Sequence, residues 1–212
     1  LSNSNLIISP KFRLNGNVTK YGAQINSISY TDAFSLLEGY ANVMYNTNES
    51  IFDSASVQLN LSNPSSEEEI ILDAKFSNPD LSLINFSNIF DSLYMDLQLR
   101  LNQINLNRIA KINHESNLLT GSVFASGTVK HPHVVVNLEK MRLLLASNFM
   151  DVKGIITLED KELSIDEFTV DFSTIQFNNI KLKASLENFT AHAEATLTSE
   201  FDGLLMNFPM FL

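Results

Sequence analysis

The chain has 212 residues, with 24 acidic against 14 basic side chains and a formal net charge of −10. That length holds one large domain or two ordinary ones. The acidic balance excludes the basic face that nucleic-acid binding or a polybasic membrane patch requires. Without cysteine there is no disulfide framework, thiolate metal site or cysteine nucleophile, and no run of about 18 apolar residues marks a membrane-spanning helix.

Along most of the chain apolar and polar residues alternate with a period of two, the signature of a half-buried strand. Leu6 and Ile8, then Pro10, then Phe12 and Leu14 lead to Asn15-Gly16-Asn17, whose composition predicts a turn. Ile28 and Tyr30 resume strand character. Asp32 to Leu37 predicts a short helix or a loop that ends near Gly39. Ala41, Val43 and Tyr45 alternate again, and Asn46 to Ser50 reads as a polar turn. Ala55, Val57, Leu59 and Leu61 form a clean strand, broken at Asn63-Pro64-Ser65-Ser66. The acids Glu67-Glu68-Glu69 read as a solvated approach to the next strand, Ile70, Leu72, Ala74 and Phe76, which Asn78-Pro79-Asp80 ends.

The spacings of Phe86, Ile89 and Phe90 predict a short helix around 86–92. Met95, Leu97, Leu99 and Leu101 then alternate with Tyr94, Asp96, Gln98 and Arg100. Leu106, Ile109 and Ile112 stand at helical spacing, which predicts a turn or two of helix. From Leu118 the pattern is strand, break, strand. Val123, Ala125, Gly127 and Val129 share one parity, His131-Pro132-His133 interrupts, and Val134, Val136 and Leu138 follow on a changed parity. Val152, Gly154, Ile156 and Leu158 run to a turn at Glu159-Asp160-Lys161. Leu163 and Ile165 start a strand that Phe168, Val170 and Phe172 continue one register on. Ile175 and Phe177 shift in the same way to Ile180, Leu182, Ala184 and Leu186, and Phe189 to Leu197 makes one more strand. The apolar tail Leu204 to Leu212 is an unusual natural terminus and points to a piece of a longer protein.

About a dozen strands and no long helix predict an all-β protein, with residues 1–212 as one elongated β segment whose sheet is mostly antiparallel and curled. One apolar face needs a partner. That partner is an opposing sheet in a sandwich, the interior in a closed barrel, or a ligand in an open curled sheet. Periodicity alone leaves these three open.

Chemistry-bearing patterns are sparse. His131 and His133 lie two apart, as a metal site begins, but Pro132 separates them and no cysteine or acidic pair adjoins. His114 and His192 stand alone. Asp160, Glu162, Asp166 and Glu167 gather around a turn without the ordered spacing and glycine of a calcium loop. There is no G-x-S-x-G, H-E-x-x-H or P-loop. The expectation is therefore a non-enzymatic chain with no catalytic residue, metal or cofactor.

Residues 90–197 resemble the C-terminal region of the TamB family, within the AsmA-like superfamily. Met95-Asp96-Leu97-Gln98-Leu99 runs into Ile104-Asn105-Leu106-Asn107-Arg108-Ile109-Ala110, similar to that family's strand followed by d-l-x-x-l-a. Leu119-Thr120-Gly121-Ser122-Val123 is similar to its l-x-G-x-l, and Ser126-Gly127-Thr128-Val129-Lys130-His131-Pro132-His133-Val134 to its x-G-T-x-x-x-P-x-v. Leu163-Ser164-Ile165-Asp166-Glu167-Phe168 is similar to its l-x-i-d-x-l. Val135-Val136-Asn137 departs from the family's habit of a small residue after the valine that follows the proline.

The resemblance implies a taco-like or half-pipe groove with an apolar interior. It implies a periplasmic protein, anchored in the inner membrane by a segment outside this chain. Such a protein of a translocation and assembly module carries phospholipid acyl chains between the inner and outer membranes, or supports outer-membrane protein assembly, beside an insertase-type β-barrel partner. The residues it makes the lipid-groove lining are Leu97, Leu99, Leu101, Val123, Ala125, Val129, Val134, Val136, Leu138, Ile156, Leu158, Phe168, Val170, Phe172, Ile180, Leu182 and Leu186. Two other non-enzymatic readings stand beside it: a periplasmic β module that pairs an edge strand with a partner protein, and an ordinary β-sandwich binding domain.

Overall fold

A computed structural model describes residues 11–32, 36–48, 51–77, 93–106, 117–145, 148–172, 175–185, 187, 190–201 and 204–211. They form thirteen strands: β1 (Lys11–Thr19), β2 (Gly22–Thr31), β3 (Leu36–Asn48), β4 (Ile51–Ser62), β5 (Glu69–Ser77), β6 (Tyr94–Asn105) and β7 (Leu118–Thr128), then β8 (Pro132–Leu145), β9 (Asn148–Glu159), β10 (Glu162–Phe172), β11 (Ile175–Ser185), β12 (Thr190–Phe201) and β13 (Leu204–Phe211). Each pairs antiparallel with its sequence neighbours in a single sheet of order β1 to β13. β1 and β13 do not pair with each other, so the sheet is open. Among the described residues no helix is long and apolar enough to cross a membrane.

Directly paired residues in an antiparallel ladder share a face. The register therefore stacks one residue from each strand into a row: Leu59, Leu72, Leu99, Val123, Val136, Ile156, Ile165 and Leu182. The adjoining row on that face is Val57, Ala74, Leu97, Ala125, Val134, Leu158, Leu163 and Ala184. The opposite face carries rows such as Gln58, Asp73 and Gln98, with Phe124 and Val135 as apolar exceptions. Seven of the eight buried apolar side chains among the described residues, all but Leu106, stand on the apolar face.

Bulges keep that face coherent. Gln103, Glu167 and Asn179 adopt positive φ (46°, 54° and 52°) where the ladders shift register. A bulge adds one residue to one strand, so the apolar residues before and after it stay on the same side. The parity changes at Ile165/Phe168 and Phe177/Ile180 are these bulges. At the first of them the Phe168 ring lies over Gly154, where a Cβ would collide with it.

Several expectations are corrected. Asn15-Gly16-Asn17 is not a turn: β1 runs through it opposite a bulge in β2, where Asn26 is the extra residue, and the chain reverses at Lys20-Tyr21. A Cβ on Gly16 would strike the Gln24 carbonyl, so this glycine serves close strand approach. Leu36 and Leu37 are neither helix nor loop but open β3, with Leu37 buried on the apolar face, and Gly39 lies inside the strand. Asn105 still belongs to β6, and Leu106 follows it in a 3₁₀ turn. Pro132 opens β8 and His133 is its second residue, so the break occupies Val129 to His131. The helix expected around 86–92, the break at 78–80 and the helical spacing of Ile109 and Ile112 lie outside the described residues.

Buried side chains gather where β6 ends and β7 begins. Ile104 is buried there, and so are two polar side chains, Asn117 and Glu68. The Glu68 carboxylate accepts from the Asn105 N–H (3.3 Å) and from Asn63 Nδ2 (3.5 Å). Asn117 Oδ1 accepts the Leu144 N–H (2.7 Å), and the Asn117 carbonyl accepts the Leu106 N–H (2.9 Å). The β7–β8 ladder stops at Leu118 and Arg142, so the Asn117 amide satisfies a donor that the ladder leaves behind. Nearby on the polar face, Arg142 Nε and Nη2 donate to the two carboxylate oxygens of Asp151 (2.7 and 2.6 Å).

Two outcomes follow. Asn117→Leu removes the acceptor of the part-buried Leu144 N–H, so urea unfolding should show a loss of about 1–3 kcal/mol. The Arg142 hydrogen bonds hold the Asp151 carboxyl below the usual carboxylate range, and the Lys140 charge adds to this. A depressed native pKa gives stability that is present above the unfolded value of about 3.9 and lost as pH falls through the native one. The stability difference between the native chain and Asp151→Asn should thus be flat above about pH 5 and shrink below about pH 4. Both side chains are roughly one-third exposed (37% and 35%), so the difference should not exceed about 1 kcal/mol.

Candidate functional site

The candidate site is the apolar face, and the bulged meander decides which residues reach it. Leu97, Leu99, Leu101, Val123, Ala125, Val134, Val136, Leu138, Ile156 and Leu158 share that face through direct ladder pairs. Val170 joins them by pairing with Val152, and Phe172 by pairing with Met150. Leu182 pairs with Ile165, and Ile180 with Phe168. Val129 does not belong: it lies in the β7–β8 turn and is 42% exposed, its N–H donating to the Leu93 carbonyl (3.1 Å). The strand parity that Val129 continued ends at Thr128, one residue earlier. Leu186 lies outside the described residues.

The sequence list is also too short. The same face continues through β2 to β5 by Ile28, Leu37, Ala41, Leu59 and Leu72. The alternation there was as clear as in the later strands, and only the resemblance confined the list to residues 97–186.

Exposure on this face is graded. Ala74 and Ala125 are buried, because small side chains sink between larger neighbours. All eight members of the row from Leu59 to Leu182 are half-buried. A tightly packed interior removes nearly all of a leucine or isoleucine from water, and these side chains keep part of their surface accessible. At about 25 cal/mol per Å², eight adjoining aliphatic side chains in this condition leave a substantial drive for further burial.

The histidines and acids do not assemble into a metal centre. His131 Nδ1 lies 3.6 Å from Asp160 Oδ1, and His133 Nδ1 lies 3.6 Å from Glu159 Oε1. Each ring thus faces its own acid on the neighbouring β9–β10 hairpin, and these exposed contacts add little stability. No group of three or more His, Asp or Glu side chains among the described residues is arranged to hold a metal ion. Asp160 and Lys161 instead make a two-residue hairpin turn, both with positive φ (45° and 67°).

Comparison of the chain with protein-family models, with curated proteins and with solved structures finds no match.

Proposed function

We propose that this chain is a groove-forming segment of a TamB-like envelope protein, and that its apolar face carries phospholipid acyl chains between the inner and outer membranes. The observation that supports this reading is the unbroken row from Leu59 to Leu182, eight strands wide and half-buried throughout. An acyl chain gains about 0.8 kcal/mol for each CH₂ removed from water. A continuous apolar strip lets the chain slide from one strand to the next without returning to water at each step, while the headgroup remains at the solvent. Curling of the sheet around that face makes the groove. No residue performs a chemical step. In this reading the segment works in the periplasm, tethered to the inner membrane by sequence outside this chain, beside an insertase-type barrel of the outer membrane.

The open edges of β1 and β13 favour a second reading, in which an edge strand pairs with a strand of a partner and assists outer-membrane protein assembly. The two readings respond differently to mutation. Carriage fails when an inward leucine becomes charged, whereas strand pairing fails when proline enters an edge strand and the apolar face is left intact.

A photoreactive residue placed in cells at Leu99, Val136 or Val170, with controls at Gln98, Asn137 and Asp171, separates them. Carriage predicts labelled phospholipid captured from the first three sites and not from the controls, and Leu99→Asp should cut capture at Val136 by about tenfold or more. Inward sites that capture only other parts of the same chain identify a closed core and overturn the carriage reading.

A further inference from the structure

We propose that the open edge of β1 is a docking site for an extended, acidic segment of a partner protein, which adds to the sheet as a further strand. Among the described residues β1 pairs with β2 alone, so its backbone N–H and C=O groups that point away from β2 have no ladder partner. β1 contains no proline, so each of its nine residues keeps its N–H. Such a strand spans about 30 Å, and a segment of equal length can pair along all of it. The other edge differs. β13 has Pro209 within it and no charged residue, and a proline blunts an edge.

The apolar rows stop short at this edge. Leu14 is 54% exposed although its ladder partner Ile28 is 4% exposed, and Val18 is 84% exposed beside the half-buried Ala23. Every described side chain of β1 is exposed. A strand laid against β1 would set apolar side chains opposite Leu14 and Val18, cover both, and carry their rows one strand further. The partner therefore alternates with a period of two and keeps its apolar parity on the side of Leu14 and Val18.

Charge selects the other parity. Lys11, Arg13 and Lys20 are the charged residues of positions 1–31, and all 24 acids of the chain lie at Asp32 or beyond. The edge is thus basic within a chain of net charge −10. Lys11 and Arg13 share the face opposite to Leu14 and Val18, and among the described residues no ion pair engages either of them. A strand with carboxylates at two alternate positions meets both cations while its backbone completes the ladder. A second copy docked through its own β1 would bring the same cations and no acid. An acyl chain would cover the edge and return no hydrogen bond to its backbone. The proposal rests on the strand-pairing reading, of which it names the edge and the partner, and carriage on the apolar face does not enter it.

The test titrates the full chain into a capped, fluorescein-labelled peptide, Thr-Val-Asn-Val-Thr-Ile-Glu-Phe-Glu. In an antiparallel ladder its two glutamates stand opposite Arg13 and Lys11, and its apolar residues opposite Leu14 and Val18. Anisotropy should show a Kd below about 1 mM in about 50 mM NaCl, weakened several-fold in about 500 mM. Replacing both glutamates by glutamine should weaken binding by about fivefold. Arg13→Glu should weaken it by about tenfold, and a peptide with lysine at its seventh position should restore it. Arg13 is exposed on an edge strand, and circular dichroism checks that the variant keeps its sheet. Methylating alternate backbone nitrogens blocks one edge of the peptide, so one alternate set should abolish binding and the other should preserve it. Equal binding of the glutamate and glutamine peptides, with one methylated set still blocked, overturns the acidic partner and leaves strand pairing standing. Binding by both methylated sets, indifference to Arg13→Glu, or self-association of the chain through β1 in place of peptide binding overturns the proposal. No binding by any of the peptides at about 1 mM overturns strand pairing at β1 with it.

Discussion

A one-residue slip in an antiparallel ladder sends every side chain beyond it to the opposite face. With thirteen strands in series, an uncorrected irregularity in one strand would put the apolar residues of the next on the wrong side. The chain meets this constraint with extra residues. Gln103, Glu167 and Asn179 sit at positive φ where the ladders shift, and each shift returns the following apolar residue to the common face. Non-glycine residues at positive φ carry a conformational cost, which the chain accepts where an uncorrected register would expose a whole strand's apolar set. The same bulges increase the local twist, so the devices that keep the face continuous also bend it.

The period of two was legible wherever the strand ran straight, and two of the bulges were legible as parity changes, from Ile165 to Phe168 and from Phe177 to Ile180. Turn composition was a poorer guide. Asn15-Gly16-Asn17 has the residues of a hairpin turn, but the reversal falls at Lys20-Tyr21, because Gly16 is used for strand approach. Val129 has the right parity and the wrong place, since parity continues on paper after a strand has ended. Which strand pairs with which was not legible from alternation, and so neither were the rows that make the apolar face continuous. The rows of the opposite face were hidden for a related reason. A serine or asparagine on the outward parity reads as a solvated position, and only the assembled ladder brings Asn17, Gln24 and Asn42 together.

Stability is distributed unevenly along the strands. Ile104, Asn117 and Glu68 close off the end where β6 meets β7, with buried carbonyl, amide and carboxylate groups completing hydrogen bonds that the ladders leave open. At the other strand end Tyr21, Tyr45 and Tyr94 are exposed. A sheet anchored at one margin can flex at the other without breaking its ladders, because local opening free energy follows local burial and hydrogen bonding. A cavity of about 820 Å³ lies at that lightly packed margin, with Tyr21, Tyr45 and Tyr94 in its lining.

A single layer also ties its two faces together. Residues of the two parities alternate along the same strands: Val43 between Asn42 and Met44, Phe76 between Lys75 and Ser77. A two-layer sandwich buries one face of each sheet in a core and leaves only the other for recognition. Among the described residues neither face is consumed in that way, and a side chain on one of them can change without altering the ladder that positions the other. The shared element is the backbone register, so a substitution that moves a bulge would disturb both faces at once, whereas a side-chain change confined to one parity would disturb one. That separation lets a substitution on the apolar parity probe that face alone, while the ladder holds the other face in place.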